Sequence, residues 1–301
     1  MADPARRGFR LDRPPAGAAL EAHARSFLTG FNLALAHQRD VHEALTTVAG
    51  PERGFAYEGA GMCARLLDIG TAGLAGALPR LLDGPGRRYV HLVHVGAGWG
   101  LTPARIPIPV RLPRTPLLRW LAVDGAGFGE TYFGGLPALR RRTRRQPSPP
   151  GPQRWQSPQR WQTRISGCGR ALWFVEAADP DGVAGRIAEQ PPPAQPWLWS
   201  GVGLAAGYAG AIDADGLHRL AGLAADAFPY FAQGVVFAAA ARVISGVVPE
   251  HTELACRIVL GVEPDAARQW SDEAAGGLTN SSEVAAYAEW RARLRRRLAP
   301  N

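Results

Sequence analysis

Eight polar side chains stand where chemistry could be done. Glu58, His94, Asp124, Glu130, Glu176, Gln233, His251 and Glu253 lie in or beside glycine-rich stretches, where a backbone without Cβ atoms admits a substrate close to a carboxylate or imidazole. Glu58 and Asp124 each precede a Gly-Ala-Gly triplet, so two facing units would present a paired general acid and base. The same placement suits orienting a helix that begins at the glycines, which is the commoner use. His91 and His94, three residues apart, share a face on a helix and with Glu58 or Asp124 could hold a metal. Spacing fixes no third ligand, so a structural histidine is expected, no metal is assigned and the cofactor stays unknown.

The substrate-binding set that goes with these groups is Gly59, Gly96, Gly125 and Gly201 with Trp99, Phe128, Trp173 and Tyr208. The glycines would form a floor, and the rings suit stacking on a flat conjugated chain or filling an ordinary core. Cys63 and Cys168 also lie at the glycines, but a reactive thiolate needs a nearby cation, and a buried small-hydrophobe role is the default.

The elements that position these residues follow from one recurring template. Glu58-Gly59-Ala60-Gly61, Val95-Gly96-Ala97-Gly98, Asp124-Gly125-Ala126-Gly127, Ser166-Gly167-Cys168-Gly169 and Ser200-Gly201-Val202-Gly203 share it, and Gln233-Gly234-Val235-Val236 is a degenerate copy. Their first glycines are spaced by 37, 29, 42, 34 and 33 residues. Periods of about 30 to 40 residues mark helical-hairpin repeats. Apolar residues after the copies recur at helical spacing, and Asp83-Gly84-Pro85-Gly86, Pro103 to Pro113, Pro191-Pro192-Pro193 and Val248-Pro249 break the units apart. The expected fold is mainly α, built of tandem helical-hairpin pseudo-repeats, either α-solenoid-like or a globular helical array. A dinucleotide or phosphate loop is excluded by context: no copy gives GxGxxG after a strand or continues into Gly-Lys-Ser/Thr.

The expected organisation is an N-terminal segment with a helical portion (1–50), a pseudo-repeat domain (51–263) and a C-terminal helical segment (264–301). The net charge is +8, and the stretch 138–164 contains Arg140, Arg141, Arg142, Arg144, Arg145, Arg154, Arg160 and Arg164 with no acid, which accounts for all of it. This Arg/Pro/Gln-rich stretch, with its duplicated Gln-Arg-Trp-Gln, is expected to be an inserted surface loop, and the local charge argues against a nucleic-acid partner. From Ser282 the chain should form a capped, arginine-rich docking helix. The three cysteines show no metal or disulfide spacing, no secretory signal opens the chain, and the apolar stretches 201–212 and 234–248 are too short or interrupted for a membrane span of about 20 residues. A soluble cytoplasmic protein is expected.

Several segments resemble the UnbL-type family of unknown function found in enediyne biosynthetic clusters. They include Arg53 to Met62, Val93 to Trp99, Leu118 to Gly125, Gly169 to Glu176, Leu198 to Ala205 and Ala232 to Arg242, together with His251-Thr252-Glu253 and Cys256-Arg257. The resemblance covers most of residues 53–260. It implies a place beside an iterative polyketide synthase, in the conversion of a linear polyene into the enediyne core. Relatives are expected to carry His-Glu-Gly where this chain has Gly129-Glu130-Thr131, so a histidine role there would be absent. The expected function is therefore an accessory protein or enzyme of enediyne core biosynthesis that binds a hydrophobic polyene-derived molecule, in contact with other proteins of the cassette. The competing class is a non-catalytic helical-repeat scaffold that organises those proteins.

Overall fold

The computed structural model describes residues 7–100, 112–145 and 157–299, and the described residues are mainly helical with no strand. Helices α1 (Pro14–Ala36), α2 (Val41–Thr46), α3 (Gly50–Gly70), α4 (Ala77–Leu81) and α5 (Val90–Trp99) come first. They are followed by α6 (Leu121–Arg144), α7 (Pro158–Val175), α8 (Pro180–Ala188), α9 (Gln195–Ala209) and α10 (Ala214–Ala224). The chain ends with α11 (Phe228–Ser245), α12 (Glu250–Ala255), α13 (Pro264–Ala275) and α14 (Val284–Leu298). Proline in the first turn starts α1, α3, α7, α8, α9, α11 and α13, where its missing N–H costs nothing. Ser157, Asp179 and Asp213 cap α7, α8 and α10 by accepting a backbone N–H three residues on.

The Gly-x-Gly copies lie inside helices, not at their starts: α3 begins at Gly50, well before Gly59. The expectation of a helix nucleated at each motif is corrected accordingly. Each glycine instead faces a backbone carbonyl of a neighbouring helix. Between α1 and α3, Gly30 faces Ala56 O and Gly59 faces Phe27 O. The contacts advance in opposite senses along the two chains, so the helices run antiparallel where they cross. The same exchange joins α3 to α5 (Gly61 with Val93, Gly96 with Glu58), α5 to α6 (Gly98 with Ala122, Gly125 with Val95) and α6 to α7 (Gly127 with Arg164, Gly167 with Asp124). It continues from α7 to α9 (Gly169 with Leu198, Gly201 with Ser166) and from α9 to α11 (Gly203 with Phe231, Gly234 with Ser200).

Helices α1, α3, α5, α6, α7, α9 and α11 therefore stand side by side in chain order, each antiparallel to the next. A Cβ built on any of these glycines would lie 1.8 to 2.5 Å from the facing carbonyl oxygen. Only a glycine Cα–H fits there, in a weak hydrogen bond of about 0.5–1 kcal/mol. Helices α1 and α11 bring one such glycine each because each has one neighbour of this kind, which is why the last copy looks degenerate. Ala60, Ala97, Ala126, Cys168 and Val202, between the paired glycines, and Val235, after Gly234, are all buried in the apolar core on the opposite side of their helices from the residue before the motif.

The expected surface loop at 138–164 is helical at both described ends. Residues 138–144 finish α6 and 158–164 start α7, whereas 146–156 lie outside the described residues, as does part of the Pro103–Pro113 breaker. Helix α6 itself bends at Gly135 (φ 61°, ψ −162°), two residues before Pro137. The continuous helical run Ala214–Ser245 is apolar and long enough to cross a membrane by composition alone, but 61% of its most apolar window is buried within the protein. Its backbone also breaks at Ala225 (φ 43°), so it is two core helices meeting end to end.

The glycine contacts predict opposite outcomes for one chemical change. Gly167→Ala should lower unfolding stability by about 2 kcal/mol or more, because α6 and α7 must separate. Gly222→Ala, on an open face of α10 with nothing within 4 Å, should raise it by about 0.5–1 kcal/mol. Urea denaturation of the two variants checks the pair.

Candidate functional site

The residue just before each motif projects to one side of the array, and so does the residue four places later. Glu58, Val95, Asp124, Ser166, Ser200 and Gln233 form the first row, and Met62, Trp99, Phe128, Arg170, Leu204 and Phe237 the second. Helix packing thus lines up groups that are far apart in sequence. Trp99 Nε1 donates to Glu58 Oε1 at 3.0 Å. Arg170 Nε donates to Asp124 Oδ1 at 2.7 Å, and its Nη1 lies 4.0 Å from Glu58 Oε1. Glu58, Asp124 and Arg170 are each at most 6% exposed.

The row continues as a chain of hydrogen bonds. The Ser166 hydroxyl bonds the Asp124 carboxylate, and the Ser166 and Ser200 hydroxyls are 3.4 Å apart. Gln233 Nε2 donates to Ser200 Oγ at 3.3 Å and Arg291 Nη2 donates to it at 3.1 Å. Arg295 Nη1 donates to Gln233 Oε1 at 3.0 Å.

An aromatic cluster sits against the acid pair. The Trp99 ring lies 4.5 Å from Phe27 and from Phe128, 5.6 Å from Tyr132 and 5.5 Å from Phe133. The Arg170 guanidinium stacks over Phe128 at 4.8 Å. Phe133, at the bend in α6, is 47% exposed and brings the cluster to the surface.

Burial dominates the electrostatics. It raises Glu58 to about 7; Arg170 and the Trp99 bond oppose the shift, and the Asp124 charge adds to it. Burial also raises Asp124, against Arg170, Arg291 and the Ser166 bond. Glu58 is thereby poised to hold or release a proton near neutrality, beside a guanidinium that favours its anionic form.

Of the candidates read from sequence, Glu58, Asp124 and Gln233 meet in this row, with Trp99 and Phe128 beside them. The others serve elsewhere. His94 is buried; its Nδ1 donates to Val90 O at 2.7 Å, Nε2 has no partner, and burial lowers its pKa to about 4. No group of three metal-ligating side chains occurs among the described residues, and Glu58 and Asp124 face Arg170 instead of the histidines. Glu130 is clamped by Arg142 and Arg164, each at 2.6 Å, and those two guanidiniums outweigh the burial that would raise its pKa.

Glu176 pairs with Arg186 at 2.7 Å on the wall of a shallow groove of 460 Å³ that also holds Phe9 and Arg10. Glu253 faces Arg257 at 3.7 Å on the surface. His251, Trp173 and Tyr208 belong to the end of α9, whose free carbonyls are all engaged. Thr252 donates to Gly207 O, Arg242 and His251 to Tyr208 O, His23 to Ala209 O and Trp173 to Gly210 O. The space beside Gly59, Gly96, Gly125 and Gly201 is filled by neighbouring backbone, so these glycines hold helices together and form no substrate floor.

The sequence profile of a protein of unknown function, DUF1702, matches residues 2–298. The chain belongs to the DUF1702 family. No curated protein and no solved structure matches it. In this DUF1702 chain the members of the buried polar network that sequence reasoning passed over are Ser166, Arg170, Ser200, Arg291 and Arg295. The first three were accessible from the repeat itself: Ser166 and Ser200 occupy the place of Glu58 and Asp124, and Arg170 that of Trp99 and Phe128. Nothing local marks Arg291 and Arg295 as their partners.

The raised Glu58 makes stability depend on pH with a definite sign. From its ordinary 4.5 up to about 7, the folded DUF1702 chain keeps a proton that the unfolded chain has released. Glu58 should by itself lower stability by about 3 kcal/mol over that window, against the opposite rise that His91 and His94, both lowered by burial to about 4, contribute below their ordinary 6.5. In Glu58→Gln, where the amide oxygen still accepts from Trp99, that fall should disappear. Urea unfolding of both proteins from pH 4 to 9 measures it; equal slopes would refute the assignment.

Proposed function

We propose that this protein acts in the assembly of an enediyne core, as an accessory protein or enzyme that binds a linear polyene-derived intermediate and transfers a proton to or from it. The observation that supports this reading is the contact between Glu58, poised near neutrality, and the aromatic cluster around Trp99 and Phe128. Flat rings suit a conjugated chain, and a buried carboxyl beside them can protonate a polyene carbon or accept a proton from one. Arg170 holds the resulting carboxylate. Asp124, tied to Arg170 and Ser166, orients that guanidinium.

The resemblance to UnbL-type proteins supplies the pathway, with contacts to other cassette proteins and a cytoplasmic setting. We also read the antiparallel glycine-locked helices as a pseudo-repeat of helical hairpins, each unit contributing one residue to the polar row.

The test is incubation with the synthase-derived polyene, alone and with the cassette proteins, following binding by co-sedimentation of the polyene absorbance with the protein and conversion by mass. Glu58→Gln should lower conversion by about 100-fold or more while binding persists, and Trp99→Leu should weaken binding. Conversion that is indifferent to Glu58, or a polyene that does not bind, refutes the proposal.

A further inference from the structure

The chain ahead of α1 is folded against the bend in α6. Gly135, at the bend, faces the Arg7 carbonyl so closely that an added Cβ would lie 2.1 Å from its oxygen, and Gly8 rests on the Leu136 side chain. One turn before the bend, Tyr132 O accepts from Arg7 Nη1 at 3.1 Å. These contacts lay the Arg7 guanidinium on the aromatic cluster of the proposed site. Its central carbon stands 4.8 Å from the Phe9 ring and 5.8 Å from the Tyr132 ring, and those two rings meet edge-on at 5.4 Å. Tyr132 stacks on Phe128 at 5.4 Å, meets Phe133 at 5.7 Å and lies 5.6 Å from Trp99.

The other arginines around this site are matched by acids. Arg10 pairs with Asp12 and Asp179, Arg142 and Arg164 with Glu130, Arg170 with Asp124 and Arg186 with Glu176. Arg7 has no ion-pair partner among the described residues, and its Nε has no hydrogen-bond partner. Glu21, near enough for its charge to act on Tyr132, is bonded to Arg25 at 2.7 Å. Arg242 and Arg291 also lie over rings with an unmet Nε, but at 1% and 3% exposure they are closed off. Arg7, Phe9 and Tyr132 are each only half-buried, and Phe133 is exposed, so this guanidinium and these rings are reached together from outside.

A guanidinium with an unmet donor edge at the rim of an aromatic cluster favours a ligand of two parts: a flat body that covers the rings and an end that carries a carboxylate. A neutral hydrocarbon would cover the rings and leave the donor edge unmet. We infer that Arg7 receives the carboxylate of a conjugated chain lying over Tyr132 and Trp99, so that the site takes acid-terminated polyenes in preference to neutral ones. The inference names the ligand class of the proposed site and rests on that reading for the place of binding. Arg7 takes no part in the proton transfer itself.

The probes are a straight-chain conjugated tetraenoic acid and its methyl ester, used at about pH 8, where the acid is ionised. Binding to the full chain is read from the polyene absorbance that co-sediments with the protein. The acid should bind about tenfold or more tightly than the ester, the worth of one charge-assisted contact. That comparison requires no variant to fold. Arg7→Gln, which removes the charge and keeps an amide donor, should weaken the acid by the same factor and leave the ester unchanged, whereas Arg7→Lys should keep part of the preference. Equal binding of acid and ester, failure of both to bind, or a preference that survives Arg7→Gln overturns the inference. Parallel loss of both probes in Arg7→Gln and Arg7→Lys overturns it too, since that is the mark of a purely structural clasp. A chain that shows the Arg7-dependent preference and leaves the synthase-derived polyene unconverted refutes the proposed function alone; one that converts it and treats acid and ester alike refutes the role of Arg7 alone.

Discussion

The close approach of glycine to carbonyl oxygen governs this structure. A helix interior is a poor place for glycine, which costs about 1 kcal/mol there relative to alanine. Here the cost is met because neighbouring backbones come near enough for Cα–H to touch C=O, from Gly30 against Ala56 to Gly234 against Ser200. Two glycines two residues apart lie on nearly opposite sides of one helix and serve two neighbours at once. The Gly-x-Gly spacing is what lets a single turn of α7 contact α6 through Gly167 and α9 through Gly169.

That lock also sets register. Once Gly167 is seated on Asp124 O and Gly201 on Ser166 O, the side chains before each motif have no freedom to slide past one another. Asp124, Ser166 and Ser200 must come level, and Arg170, one turn beyond Ser166, must reach across to Asp124 and Glu58. The chemistry of the row is therefore a product of backbone packing. Exchanging the polar residues would change what the row does without disturbing why it is a row.

Much of this was legible. The spacing of the glycines marked every helix of the array except α1, whose single Gly30 belongs to no copy of the motif, and the position before each motif singled out Glu58, Asp124 and Gln233. The proline punctuation at Pro191 to Pro193 and at Pro249 separates α8 from α9 and α11 from α12. Glycine was misread as a helix start and as a substrate floor, because local propensity sees its cost and cannot see the carbonyl of another helix that offsets it. Residues 138–144 and 158–164 were misread as loop from their arginines and glutamines, although Arg142 and Arg164 close on Glu130 across two helices. The arginines of α14 were visible as a basic helix, but their partners Ser200 and Gln233 lie far away in sequence, and no periodicity connects them.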